Sequence, residues 1–237
     1  MGLSVRLVVR TLSELCITVG TVIVLFVVHV MFWTGIKADS ATAAQVDLLR
    51  RAWVDQPLPP ATKAPEATGT LTPQPYAAGK GIAVMYIPRL GEDWEWPVLE
   101  GTAPATLKKG LGHYASTARL GATGNFAVAG HRRTYGDPFK DFPSLRPGDA
   151  VVLTDGATWY TYRIERKPYR TVPTDTGVID PVPRPLRKNA AGFDGPGRYL
   201  TLTTCEPEWG SSHRLIVWAH LDATQPVTQG KPPSLTG

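Results

Sequence analysis

Arg198-Tyr199-Leu200-Thr201-Leu202-Thr203-Thr204-Cys205-Glu206-Pro207 is followed six residues later by Arg214-Leu215-Ile216-Val217-Trp218-Ala219. The first run is β-prone, and Pro207 ends it because proline cannot donate to a ladder. Period-two alternation puts Thr201, Thr203 and Cys205 on one face and Leu200, Leu202 and Thr204 on the other. If the loop between the runs turns the second back antiparallel, Arg214 returns beside Cys205. A strand-loop-strand unit of this kind predicts an all-β body.

Working outward, further β-rich runs recur at Ile82–Ile87, Asn125–Ala129, Ala150–Thr154 and Thr158–Glu165. Arg146-Pro147-Gly148-Asp149 and Thr154-Asp155-Gly156-Ala157 carry turn chemistry, the second as an Asp-Gly hairpin. Short helical stretches are expected only around Pro104–Leu111 and Phe139–Leu145. The pattern predicts an antiparallel barrel or sandwich spanning about residues 80–224. The polar, proline-containing tail 225–237 is expected to be disordered.

The front of the chain is different in kind. Leu15 to Ile36 holds no formally charged side chain, and at about 1.5 Å per residue it matches a hydrocarbon core of roughly 30 Å. Arg6 and Arg10 precede it, so the positive-inside bias sets residues 1–14 in the cytoplasm and the body outside. The rival reading is a cleaved signal peptide, for which Ala41-Thr42-Ala43 offers a small-residue site. The length of the run favours an uncleaved transmembrane helix over 15–36. Val46, Leu48, Leu49 and Trp53 are spaced to continue an apolar helix face outward. Six prolines between Pro57 and Pro75 then predict an extended stalk, giving a juxtamembrane and stalk region over 37–79.

The 237 residues include 2 cysteines, too few for a disulfide framework or a cysteine-built metal site. The histidines show neither HxH nor HxxxH spacing, so no metal and no cofactor are expected. A net charge of +5 does not indicate nucleic-acid binding. On this topology Cys16 and Cys205 lie on opposite sides of a membrane, and Cys205 is a lone external thiol. Such a thiol is inert and buried, paired to another molecule, or kept for reactivity. A reactive one needs a base or cation nearby. Arg214 is one candidate, and His131, which closes the small-residue run Asn125-Phe126-Ala127-Val128-Ala129-Gly130-His131, is the other.

Thr201-Leu202-Thr203-Thr204-Cys205 with Arg214 nine residues later resembles the TLxTC…R signature of sortases. Ala127-Val128-Ala129-Gly130-His131-Arg132 resembles their catalytic-histidine strand, and the order His, Cys, Arg agrees. The stretch His131-Arg132-Arg133-Thr134-Tyr135-Gly136-Asp137-Pro138-Phe139 is most like class E sortases of high-GC Gram-positive bacteria. The resemblance implies a closed eight-stranded barrel and a cysteine transpeptidase that joins secreted proteins to peptidoglycan. Cys205 is the implied nucleophile, His131 the acid and base, and Arg214 the oxyanion and backbone holder. The implied partners are proteins with a C-terminal LAxTG or LPxTG sorting signal, an amine acceptor such as lipid II or peptidoglycan, and the membrane. Tyr114 aligns with a position that lines the signal's pocket, and a tyrosine there is associated with LAxTG. Ala129, Thr203 and Thr204 complete the implied substrate-binding set.

Glu206, directly after the cysteine, departs from many relatives, and a carboxylate close to the thiol raises its pKa. A Ser-His-Gly-Cys run of L,D-transpeptidases is absent, and papain-like peptidases place Cys before His. The rival of another class is a non-catalytic, membrane-anchored barrel adaptor or pilus component with a degenerate site.

Overall fold

The computed structural model describes residues 2–55 and 76–236. Nine strands follow an N-terminal helix α1 (Gly2–Asp55): β1 (Gly81–Tyr86), β2 (Glu95–Glu100), β3 (Leu111–His113), β4 (Gly124–Ala129), β5 (Ala150–Thr154), β6 (Thr158–Ile164), β7 (Tyr169–Thr171), β8 (Arg198–Glu206) and β9 (His213–Pro226). The sheet runs β6-β5-β1-β2-β3-β4-β8-β9, and β6 pairs with β9 to close it. This is the eight-stranded closed barrel expected, with β7 added beside the first half of β9. Closure leaves those strands no open edge. The pairs β2–β3 and β4–β8 are parallel, so the barrel is mixed where the sequence pattern predicts an antiparallel one.

Alternation sorts the side chains as the sequence dictates. Phe126, Val128, Leu153, Tyr162, Leu200 and Val217 point into a sealed core. On the outer side of β8 and β9 a second cluster forms, in which Ile216 and Trp218 are covered by Val178, Ala190 and Ala191. The Trp218 indole N–H donates to Val178 O at 2.9 Å, so the long β7–β8 connection is pinned against the barrel wall. That connection becomes one bank of a groove. Short helices form at both expected places, as α2 (Pro104–Leu107) and a 3₁₀ turn at Phe142–Ser144, but 3₁₀ turns also form at Pro88–Leu90 and Thr176–Ile179, where none is expected.

Three further expectations change. The tail is not disordered: β9 runs on to Pro226 because β6 needs a partner along its whole length, Thr158 lying opposite Pro226. Val227 N then donates to Ala157 O at 2.8 Å, and 3₁₀ turns at Val227–Gln229 and Pro233–Leu235 follow. The body also begins earlier than residue 80, since Tyr76 packs edge-on against His113 with ring centroids 5.9 Å apart. The proline-rich stalk lies outside the described residues as far as residue 75.

The third change concerns α1. Among the described residues Val9–His29 is apolar and long enough to cross a membrane, overlapping the expected span over 15–29. The helix then continues and its last turns lie on the barrel. Val46 and Leu49 are buried against Val84, with Trp53 and Tyr86 beside them. Arg50 Nη2 donates to Glu95 Oε2 at 2.7 Å. Leu48, expected on this face, is exposed because it sits about 200° around the helix from Val46. A Cβ on Gly81 would come within 2.5 Å of Leu49, so glycine there lets the helix approach. Leu49→Asp is expected to release this segment, seen as new tryptic cleavage after Arg50 and Arg51 with the barrel's melting unchanged. Unchanged protection of both bonds would mean that Leu49 does not hold the contact.

Candidate active site

The parallel β4–β8 pairing and the antiparallel β8–β9 pairing converge at one end of the barrel. Ala129 lies opposite Thr203, and Gly130 N donates to Thr203 O at 3.1 Å. The ladder ends there, and His131 and Cys205 each follow two residues on from its last pair. On the other side of β8, Cys205 and Arg214 are direct partners. Directly opposed residues have Cα atoms about 4.5–5.5 Å apart, so thiol and guanidinium share a face. Cys205 is partly accessible.

Glycine at 130 has a steric cause. A Cβ there would approach Leu111 Cδ2 and Phe139 Cδ2 to 2.6 Å. The chain beyond His131 folds back at once, with Thr134, Tyr135, Gly136 and Asp137 all at positive φ. Phe139 N donates to His131 O at 3.1 Å while the Phe139 ring plugs the core. The histidine is thus held between a strand and an anchored loop, its ring 5.1 Å from that of Tyr135. Burial pushes its pKa below the ordinary 6.5, and nearby Lys108 acts in the same direction while Asp137 opposes it.

Arg214 Nη1 donates to Ser211 O and His213 O, each at 2.9 Å, which fixes its planar head by the β8–β9 loop. From here a groove of about 110 Å³ runs along the outer face. Tyr114, Thr203, Arg214 and Ile216 line one side, and Thr171 to Ile179 the other. The Tyr114 hydroxyl and Thr203 Oγ1 are 3.1 Å apart, so the phenol reaches across β4 to the nucleophile's strand. Thr117 Oγ1 donates to Tyr114 O at 2.7 Å and holds the turn that carries it.

Of the residues singled out from sequence, Tyr114, Thr203 and Arg214 line this groove, Cys205 is the strand partner of Arg214, and Ala129 lies opposite Thr203, two residues before His131. Thr204 does not line the groove. It is 3 % exposed and donates to Gly130 O at 2.8 Å, because alternation turns it to the opposite side of β8. Its work is to tie β8 to the histidine strand. Glu206 also differs from expectation, being ion-paired with buried Arg132 instead of facing the thiol unopposed.

Sequence reasoning missed the second bank of the groove. Asp175 organises it, accepting from Thr171 Oγ1 at 2.7 Å and from Leu186 N at 3.1 Å. Nothing in the Thr/Pro/Asp-rich run 171–183 signals a groove wall, because its buried contacts are made by side chains far away in sequence. Other histidines are engaged elsewhere. His113 is buried with its Nδ1 2.6 Å from Glu100 and its ring stacked on Phe126, and His220 pairs with Glu165. Among the described residues no group of three or more His, Cys, Asp or Glu side chains could hold a metal ion.

A partly accessible thiol, an imidazole held neutral by burial and a fixed guanidinium beside a surface groove are the parts of a thiol acyl-transfer centre. Comparison with known proteins agrees with this chemistry. Residues 85–222 match the Sortase domain family. Sortase SrtE1 of Streptomyces coelicolor is 36 % identical over 233 residues, covering 95 % of this chain, and the chain spans 60 % of that protein's length. The structure of sortase E from Streptomyces avermitilis is 71 % identical, with a TM-score of 0.62 over 68 % of this chain and 99 % of that one. The crystal structure of sortase E1 from Streptomyces coelicolor, with a tripeptide in its active site, is 39 % identical, with a TM-score of 0.61 and the same coverage.

Proposed function

The chain belongs to the sortase family, and from that premise we propose that it is a membrane-anchored cysteine transpeptidase acting on a C-terminal sorting signal of LAxTG or LPxTG type. The observation that supports the reading is the strand register: Cys205 lies opposite Arg214, and the β4–β8 pairing ends two residues before His131 and Cys205, at the same end of the barrel. In the first half-reaction Cys205 Sγ attacks the threonine carbonyl carbon of the Thr–Gly bond. The carbonyl oxygen becomes an oxyanion, which the Arg214 guanidinium stabilises. As the C–N bond breaks, imidazolium His131 gives its proton to the departing glycine amine, leaving a thioester. An amine of the cell-wall precursor then attacks that thioester, His131 takes its proton, and the thiolate departs as the new amide forms. Thiolate and imidazolium need coexist only in a minority of molecules, since thiolate is intrinsically a strong nucleophile.

The α1 span, with its N-terminus in the cytoplasm, holds the barrel outside the cell beside two membrane-bound reactants. Tethering raises their effective concentration. In the groove the Tyr114 ring fills space that a proline of the signal otherwise takes, which favours alanine at the second signal position.

The test is to incubate the full-length protein in detergent with LAxTG and LPxTG peptides and an amine. Amine-dependent transfer is expected, with LAxTG preferred about tenfold, the discrimination a shaped pocket affords, and Tyr114→Ala is expected to level the two. Equal use of both peptides by the unaltered protein removes Tyr114 from specificity. Peptide binding without any transfer supports the adaptor reading instead.

A further inference from the structure

Charged side chains crowd the two strand exits that carry His131 and Cys205, and the register explains how they meet. Each β4 residue lies opposite a β8 residue 74 positions later, as Ala127 does with Thr201 and Ala129 with Thr203. The same offset relates His131 to Cys205 and, one step on, Arg132 to Glu206. Successive side chains alternate in direction, so the first pair faces the groove and the second faces away. Arg132 and Glu206 are ion-paired, and Arg132 is only 8 % exposed. A buried guanidinium is tolerable only with such a partner. The contact continues outward: Arg133 pairs with Glu208, and its guanidinium lies 4.7 Å from the Trp209 ring centroid.

We propose that Arg132 and Glu206 are a positioning pair that locks the β4 and β8 exits together, holding His131 at working distance from Cys205 while cancelling a carboxylate one residue from the thiol. The proposal rests on the transpeptidase reading for its catalytic meaning. Its electrostatic half concerns the thiol alone. Besides Glu206 and Arg132, the charged or titratable groups on the elements packed against the Cys205 end of β8 are His131 and Arg133 from the β4 exit, Glu208 from the β8–β9 loop, Arg214 and His213 from β9, Arg170 from β7 and Asp175 across the groove. Lys108 and Asp137 act on His131. None of these changes in the variants below, so the two members of the pair are read by difference.

The experiment follows iodoacetamide alkylation of Cys205 against pH in full-length protein in detergent, in a Cys16→Ser background. Glu206→Gln leaves Arg132 unopposed and is expected to lower the alkylation midpoint by about half to one pH unit. Arg132→Met leaves the carboxylate unopposed and is expected to raise it by a similar amount. The double variant Arg132→Met/Glu206→Gln returns the midpoint to that of the parent. Peptide turnover, measured alongside, is expected to fall about tenfold in kcat in all three, with KM within about twofold, because the tie is gone in each. The exchanged pair Arg132→Glu/Glu206→Arg regains part of kcat. If Arg132→Met does not fold, the direction of the Glu206→Gln shift decides alone. An unmoved midpoint in Glu206→Gln, or full kcat in the double variant, overturns the proposal. Alkylation needs no sorting signal, so a chain that fails to transfer peptide still reports on the pair.

Discussion

Cys205→Ala is expected to reduce amine-dependent transfer to background, a loss of at least about four orders of magnitude, while peptide binding stays within a few-fold. Removing a covalent nucleophile eliminates the thioester route altogether, and what remains is the weak catalysis that binding and an oxyanion donor give to water. Alanine at 205 keeps the β8–β9 ladder, in which Cys205 pairs with Arg214 through main-chain groups. Thr203, Tyr114 and the Thr171–Ile179 bank are untouched, and these line the groove. The effect therefore belongs in kcat and not in peptide affinity, measured by single-turnover kinetics beside fluorescence binding. Cys205→Ser should be almost as poor, since a hydroxyl is far less acidic than a thiol. Transfer surviving in either variant removes Cys205 from the reaction.

His131→Ala is expected to cost about three orders of magnitude in kcat, near the upper part of what general acid–base catalysis supplies. Both half-reactions lose their proton carrier, so acylation and deacylation slow together. The environment of His131 also fixes a pH signature. Burial lowers its pKa below 6.5 and outweighs the opposing pull of Asp137. An NMR titration of the imidazole should therefore show a midpoint below 6.5, and Asp137→Asn should lower it further. The linkage to stability has the same origin. Between the folded midpoint and about 6.5 the unfolded chain binds more protons than the folded one, so stability falls as pH drops through that window. His131→Gln should flatten that decline. A midpoint above 6.5 contradicts the account of this site.

The strands visible from sequence are those whose partners are near or whose alternation is long. The Asp155-Gly156 turn marks the β5–β6 hairpin, with Ala157 N and Thr158 N both bonded to Asp155 Oδ1. The strands that escape notice have local reasons. β2 contains Pro97, yet its pairing with β3 begins only at Val98, so the missing N–H costs that ladder nothing. β3 and β7 are three residues each, one in a glycine-rich turn and the other in a basic run, too short for any period to register. The apolar stripe on the far part of α1 is legible at Val46, Leu49 and Trp53, whereas its seat on β1 is a tertiary fact.

The site divides the same way. Cys205 facing Arg214 follows from one hairpin. His131 is carried to the same end of the barrel only through a parallel pairing between segments more than seventy residues apart, and there the family resemblance supplies what spacing does not. Glu206 was recognisable as an oddity beside the nucleophile, but its partner Arg132 depends on that same parallel register. Thr204 belongs to the substrate-binding set only by the family resemblance, whereas alternation puts it on the far side.

If Cys205 carries the peptide as a thioester, intact-protein mass spectrometry of the full-length protein, quenched in acid after mixing with an LAxTG peptide in the absence of amine, will catch it. A mass increase equal to the acyl portion ending in threonine is expected, located on the tryptic peptide that contains Cys205 and discharged when an amine is added. Transferred product that accumulates with no adduct on Cys205, or with the adduct on another residue, contradicts it.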